Sequence, residues 1–425
     1  MAVIKPFRGI SYNRRLINDP GTIITPPYDV LGPEQQEELY RKNPCNIIRL
    51  EYGKTYPEDS ATENRYTRAG ATLQQWLDQG LLQPDQTRNY YFHEQSFQWQ
   101  GQTLTRFGFF AALKLEPYSA GLVLPHELTM AGPKEDRYQL LKHTRANFSP
   151  IFVLFPDPER RLETYREMIR SRPPAFEASD NSGQNHRLWA VSDPELTAGI
   201  TAYLAERPVL IADGHHRYET AFHYGRKTNL NRLPGAGYVL SALIGTDDPG
   251  LLMLPAHRLV YNLGKSQHDQ IERLIKQEFQ FLDRGQPGEL DRGAFLAELD
   301  RLARESFALG YITPTRTGFL VPTRTSGDTD LPVTILHERL LNQTLTSYSS
   351  RQLGYTHDCL EAIDLARDGK VEAAFLIGSM PVGGILERAR RGLLMPQKST
   401  YFYPKLPGGL IIYHLELGRV DLPAL

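Results

Sequence analysis

The residues best suited to chemistry stand in one run, Val209-Leu210-Ile211-Ala212-Asp213-Gly214-His215-His216-Arg217-Tyr218-Glu219-Thr220-Ala221. Its apolar first part predicts a strand over 208–212, and a helix is expected over 217–227. A strand that stops at Asp-Gly and becomes a helix almost at once aims the backbone N–H groups of Gly214 to Arg217 at a common spot. Such a helix start attracts anions through its unused donors and the positive end of its dipole, and Gly214 lets a ligand approach closely. His215, His216 and Arg217 add donors, and a guanidinium can grip phosphate oxygens in a bidentate fork. The expected ligand is a phosphate. Two other readings stay open: Asp213 as a helix cap beside histidines satisfied in the core, or a metal on His216 and His223, two helical turns apart. No paired cysteines and no HExxH string support the metal.

Two further segments concentrate polar groups. His126, Glu127, Gly132-Pro133, Lys134, Asp136 and Arg137 fall within twelve residues, as a loop covering a substrate or as a salt-bridged helix entry. Lys134 and Arg137 stand one turn apart and can reach one anionic group. The stretch Met395 to Lys405, with Lys398, Ser399 and Lys405 among hydroxyls and aromatics, suits recognition of a phosphate or carboxylate at the mouth of a cleft. It equally suits a strand and loop locking the C-terminal part against the core, since Tyr401 and Tyr403 would share a strand face.

The elements that must position these groups are readable in part. The first 60 residues read as short extended pieces broken by prolines, as at Thr25-Pro26-Pro27-Tyr28-Asp29-Val30. Helical spacing is expected over 62–82, 135–146, 160–171, 193–206, 266–280, 292–305, 359–367 and 384–391. Alternation predicts a hairpin over 89–116, and strands are expected over 151–155, 238–245, 251–260, 373–377 and 410–414. The stretch 179–185 reads as polar loop. Together these describe an α/β to α+β fold with mixed sheets in two intertwined lobes, because the motif segments spread from residue 26 to 404. The approximate sub-regions are 1–150, 151–262 around the phosphate-binding turn, and 263–425.

Composition narrows the partners. The 425 residues carry 48 lysines and arginines against 49 aspartates and glutamates, a net charge of −1. That balance gives no broad electrostatic grip on nucleic acid or an anionic membrane. Cys45 and Cys359 are the only cysteines, which argues against a disulfide framework or a cysteine-based zinc site and fits a reducing cytoplasm. No secretory signal or membrane-length apolar run is evident. Walker A, protein-kinase and GxSxG strings are missing. The expected partner is a small anionic or nucleotide ligand, with nucleic acid disfavoured and the oligomeric state open.

Five segments together, Pro26 to Val30, Leu124 to Arg137, Asn147 to Pro150, Ala212 to Thr220 and Met395 to Pro404, resemble the bacterial and archaeal domain-of-unknown-function family 1015 along nearly the whole chain. The Asp213-Gly214-His215-His216-Arg217 box, within Asp193 to Phe222, is similar to the phosphate-binding box of the ParB and sulfiredoxin superfamily, and most of all to its free-serine kinases. That resemblance implies a nucleotide, ATP or ADP with Mg²⁺, whose phosphates sit on Gly214, His215, His216 and Arg217. It implies phosphoryl transfer to a small hydroxyl acceptor such as free serine, which demands placement and charge neutralisation more than covalent catalysis. Glu127, Asp29 and Asp136 are the candidate carboxylates for the acceptor, Glu127 first. Asp213 is the candidate metal ligand and, with His216, a candidate catalytic residue. Lys134, Arg137, Lys398, Ser399 and Lys405 are candidate substrate contacts. A non-catalytic nucleotide or nucleic-acid binding regulator and a phosphate-ester hydrolase are the alternatives.

Overall fold

A computed structural model describes residues 2–127, 132–325, 331–345, 352–380 and 382–418. It is a mixed α/β chain, and it divides into two compact units that the chain visits alternately. The first holds Met1–Pro125, Thr129–Leu251 and Pro404–Leu425; the second holds His126–Leu128 and Leu252–Tyr403. The division does not follow the consecutive sub-regions 1–150, 151–262 and 263–425. The reason is hydrogen bonding: Ile151–Phe155 and Tyr238–Gly245 join the sheet that contains Gln102–Lys114.

Among the described residues the first unit is built on a nine-stranded mixed sheet. Its order is Val123–Leu124, Val209–Asp213, Ile151–Phe155, Tyr238–Gly245, Gln102–Lys114, Tyr90–Trp99, Asn185–Val191 and Phe176–Ser179, with Ile4–Lys5 also paired to Gln102–Lys114. The expected hairpin forms, turning through Gln100 and Gly101, both at positive φ. Tyr238–Gly245 is buried at every position, as a strand covered on both faces must be. The helices Gly132–Thr144 and His215–Lys227 pack against each other, and Arg65–Asp78 packs on the former. Asn64 caps Arg65–Asp78 through bonds from the N–H groups of Tyr66 and Thr67.

Three stretches differ from the sequence expectation. Pro33–Lys42 is a helix inside the proline-broken first 60 residues: Pro33 stands at its first turn, where the missing N–H costs nothing. The polar loop read over 179–185 holds for 180–184, but the flanking strands Phe176–Ser179 and Asn185–Val191, which make it the turn of a second hairpin, were not expected. Its alternating burial marks a half-solvated strand, so its polar residues are the outward face. The strand expected over 410–414 shrinks to Tyr413–His414, paired with Ala146–Asn147.

The second unit is a six-stranded antiparallel sheet, in the order Phe279–Asp283, Thr317–Pro322, Leu309–Ile312, Ala373–Ile377, His257–Val260 and Leu353–Thr356. Alternation sends Val260, Tyr311 and Phe375 to one face, under Ile271, Leu274 and Ile275 of the helix Lys265–Glu278. It sends Leu259, Ile312, Ala374 and Leu376 to the other, under Phe295, Leu299 and Ile363 of the helices Arg292–Ser306 and Cys359–Arg367. Among the described residues, no helix is long and apolar enough to cross a membrane.

Candidate functional site

The strand Val209–Asp213 runs between Val123–Leu124 and Ile151–Phe155 and loses register after Ile211. Gly214 then takes a left-handed φ of 91° and starts the helix His215–Lys227 without a side-chain cap. A Cβ there would stand 2.9 Å from Ile151 Cγ2 and 3.1 Å from Nε and Nη2 of Arg217, so the turn requires glycine for both conformation and space. Asp213 is therefore not the helix cap. Its Oδ1 accepts from Lys405 Nζ at 2.5 Å and its Oδ2 from Arg217 Nη2 at 2.8 Å. Burial opposes its ionisation, yet Lys405, Arg217 and His215 together pull its carboxyl down to about 2. Arg217 also donates to the Pro150 carbonyl. Burial works against the Arg217 charge, and Asp213, Asp29, Tyr28 and Glu51 outweigh it and raise its pKa.

His215 is buried and His216 half-buried. Burial lowers the proton affinity of His216 against the opposing pull of Glu219, with Lys134 adding to the lowering. Lys134 forms an ion pair with Glu219 across the two packed helices, and Thr220 Oγ1 donates to the Lys134 carbonyl at 3.3 Å. From here a groove of about 610 Å³ follows the helix, lined among others by Tyr118, Tyr138, Tyr218, Phe222, Arg226 and Lys227. The rings of Tyr118 and Tyr218 stack with centroids 5.4 Å apart.

Lys134 and Arg137 pair with different carboxylates, Glu219 and Asp136. Arg137 is buried, its guanidinium 3.8 Å from the Tyr28 ring centroid, donating from Nε to Asp136 Oδ2 at 2.7 Å and from Nη1 to the Glu51 carbonyl at 3.1 Å. Asp136 also accepts from Tyr66 Oη at 2.8 Å and pairs with Arg65. Burial pushes the Asp136 pKa up, and Arg137, Tyr66 and Arg65 bring it below the usual carboxylate value. Asp29 is exposed on the short turn Tyr28–Val30.

Glu127, Lys398 and Ser399 belong to the second unit. The Glu127 carboxylate accepts from the backbone N–H groups of Lys398, Ser399 and Thr400 and from the Thr400 hydroxyl, each at 3.0 Å. His126 Nε2 stands 3.3 Å from it. Ser399 is buried and donates to the Pro396 carbonyl at 2.6 Å, while the Lys398 ammonium lies 5.0 Å from the Tyr355 ring centroid. Residues 128–131 lie outside the described residues. The first unit thus gathers the 213–217 turn with Asp29, Lys134, Asp136, Arg137 and Lys405, and the second gathers Glu127, Lys398 and Ser399.

Sequence reasoning missed Glu51 and Ser149, both buried beside Arg137 and Arg217. Glu51 carries no local signal, ending a four-residue helix, and Ser149 stands out only within the Asn147 to Pro150 segment and not as a site residue. Among the described residues no three His, Cys, Asp or Glu side chains group to hold an ion. His223 is exposed beside Tyr138.

No curated protein sequence matches the chain. Solved structures similar to it include a free serine kinase variant in complex with ADP, 12% identical, covering 73% of this chain and 92% of that one at a TM-score of 0.40. A conserved hypothetical protein from Pyrococcus furiosus is 13% identical over 71% and 93% at 0.36. SbnI with a C-terminal truncation, from Staphylococcus aureus, is 10% identical over 72% and 87% at 0.35. Residues 4–335 match the family described as "Protein of unknown function (DUF1015)". Because that match spans well over half of the sequence and includes the Asp213 to Arg217 turn, the chain belongs to the DUF1015 family.

Proposed function

We propose that this protein is a small-molecule phosphotransferase that binds the phosphates of ATP or ADP at the Asp213–Arg217 turn and acts on a short hydroxyl acceptor such as free serine. The observation that carries the reading is the turn itself: an uncapped helix start behind a left-handed glycine, with Arg217, His216, Lys134 and Lys405 collected beside it. Preorganised donors at a helix start neutralise phosphoryl charge without moving. The adjoining groove has the size of a nucleotide pocket and the aromatic lining that suits a base.

In this reading Gly214, His215, His216 and Arg217 contact phosphate, and Arg217 is held in place by Asp213 and Pro150. Lys134 shares its charge between Glu219 and the ligand. Asp29 is the exposed carboxylate of this unit nearest in charge to His216 and Arg217. Asp213 fits a magnesium ion poorly, because Lys405 and Arg217 already take both its oxygens. Mg²⁺ would arrive on the nucleotide, held through its phosphates, and no step is assigned to it here. Glu127 in the second unit supports its own loop, and Lys398 and Ser399 are its partners there.

The test is calorimetry with ADP and ATP, followed by phosphorus NMR of mixtures with serine and phosphoserine. Micromolar nucleotide binding, lost in His216→Ala and weakened in Lys134→Ala, is expected. No nucleotide binding, or unchanged binding in both variants, refutes the reading.

A further inference from the structure

Arg106, on the strand Gln102–Lys114 of the first unit, is 2% exposed. Burial works against its charge and brings its pKa down to about 10, with Asp248 opposing. A buried ion adds little stability over an apolar side chain of its size, so its value lies in what it holds. Its Nη2 donates to the Pro404 carbonyl at 2.7 Å and to Gln95 Oε1 at 2.5 Å. Gln95 is buried and stands opposite Arg106 on the strand Tyr90–Trp99. From Nε2 it donates to the Lys405 carbonyl at 3.4 Å and to Gln184 Oε1 at 2.6 Å. Gln184 closes the turn 180–184, where Asp180 Oδ1 accepts from the N–H groups of Ser182 and Gln184.

These bonds meet on two consecutive carbonyls, Pro404 and Lys405. Residues 404–407 belong to no helix or strand, and Pro404 and Pro407 have no N–H to give to a ladder. Side chains from the neighbouring strands therefore fix where this backbone runs. From it Lys405 extends its ammonium to Asp213 Oδ1 at 2.5 Å. The Arg106 guanidinium also lies 4.9 Å from the Phe152 ring centroid, and Phe152 is the strand partner of Asp213. One buried cation thus touches both the chain that bears the ammonium and the strand that flanks the carboxylate.

We propose that Arg106 and Gln95 are positioning residues: they hold the Pro404–Lys405 backbone where the Lys405 ammonium reaches Asp213, and so set the charge beside the Gly214 turn without touching a ligand. The placement of Lys405 stands on these bonds alone; its bearing on a bound anion rests on the phosphotransferase reading.

The experiment uses the full chain with Gln95→Met and Arg106→Met, each made with Lys405 present and in a Lys405→Met background. Lysine ammonium NMR of protein labelled at Nζ reads the contact directly, the Lys405 signal being the one that Lys405→Met removes. Both variants should speed exchange of its ammonium protons with water by about ten-fold or more, as an opened ion pair does. Calorimetry with ADP closes the cycle. With Lys405 present each variant should weaken ADP by about three- to ten-fold, the range of one hydrogen bond. In the Lys405→Met background each should weaken it by less than about 1.5-fold, because residues that act through one group are not additive. If Arg106→Met does not fold by circular dichroism, Gln95→Met decides. Unchanged exchange at Lys405 in a folded variant overturns the proposal. So does equal weakening of ADP in both backgrounds, which marks general loosening or a direct field of Arg106, and so does unchanged ADP affinity. Faster exchange at Lys405 with no ADP binding to any chain removes the phosphotransferase reading alone, and ADP binding with unchanged exchange removes this proposal alone.

Discussion

Replacing Lys405 with methionine tests whether the Asp213 ion pairs hold the turn in shape. Lys405 Nζ stands 2.5 Å from Asp213 Oδ1, and both side chains are mostly buried, at 13% and 20% exposure. The Asp213 carboxyl is displaced from an ordinary 3.8 to about 2; at about 1.4 kcal/mol per pH unit this is on the order of 2 kcal/mol of folding free energy, drawn mainly from Lys405 and Arg217 with a smaller part from His215. Lys405→Met should then cost about 1–2 kcal/mol at neutral pH, since Arg217 remains and methionine restores the packing of the stem. All three tryptophans, Trp76, Trp99 and Trp189, lie in the first unit, so the urea midpoint of tryptophan fluorescence reports that unit. A carboxylate whose folded pKa is depressed adds stability above its unfolded pKa, and that stability is lost as pH falls through the folded value. The difference between wild type and variant should therefore be full at pH 5 and shrink as pH falls from about 4 towards 2. A difference below about 0.3 kcal/mol at pH 6, or one that is the same at pH 2.5 as at pH 6, would refute the reasoning.

Three further outcomes follow from particular contacts. Gly214→Ala forces a Cβ into a left-handed position 2.9 Å from Ile151 Cγ2; it should destabilise the first unit by about 1–3 kcal/mol, seen in the same fluorescence midpoint, and weaken ADP binding at least ten-fold in calorimetry. In the second unit, burial pushes His257 and His337 down to about 3, so as pH falls below 6.5 the unfolded chain takes up protons that the folded unit refuses. Hydrogen exchange of peptides from 257–260 and 373–377 should accelerate between pH 6.5 and 4 once corrected for intrinsic rates, and less so in His257→Gln. Glu127→Ala leaves the N–H groups of Lys398, Ser399 and Thr400 without their acceptor and should speed their exchange by ten-fold or more at neutral pH; unchanged exchange there would leave Glu127 free for a chemical role.

What was legible in the sequence was what short-range periodicity encodes. The alternation through Tyr91, Phe97 and Phe107 gave the long hairpin, and the apolar strand stopping at Asp-Gly gave the turn, because both patterns are local in the chain. The partners of the turn lay beyond such reach. Lys405 meets Asp213 across 192 residues, and from the chain alone it stood with Lys398 and Ser399, which bond within the second unit instead. Glu51 was invisible because a buried carboxylate looks, in sequence, like its exposed counterpart; only the closed walls around it make it distinctive.

The near-zero net charge also acquires a local meaning. Each basic side chain expected to meet an anion in the first unit already faces an acid: Arg217 and Lys405 face Asp213, Lys134 faces Glu219 and Arg137 faces Asp136. The tightest of these pairs are buried and fix geometry, since removing either partner would strand a charge. The Lys134–Glu219 pair is the more exposed, at 35% and 23%, and so the one that an incoming anion can rearrange at least cost. If the turn binds an anion as proposed, preference for a small anion over a polyanion would come from the number of positive groups left adjustable rather than from their total. A site whose cations are already paired offers a long phosphate backbone little counterion release, whereas on the proposed reading one phosphate at a helix start would need only the few donors of the Gly214 turn.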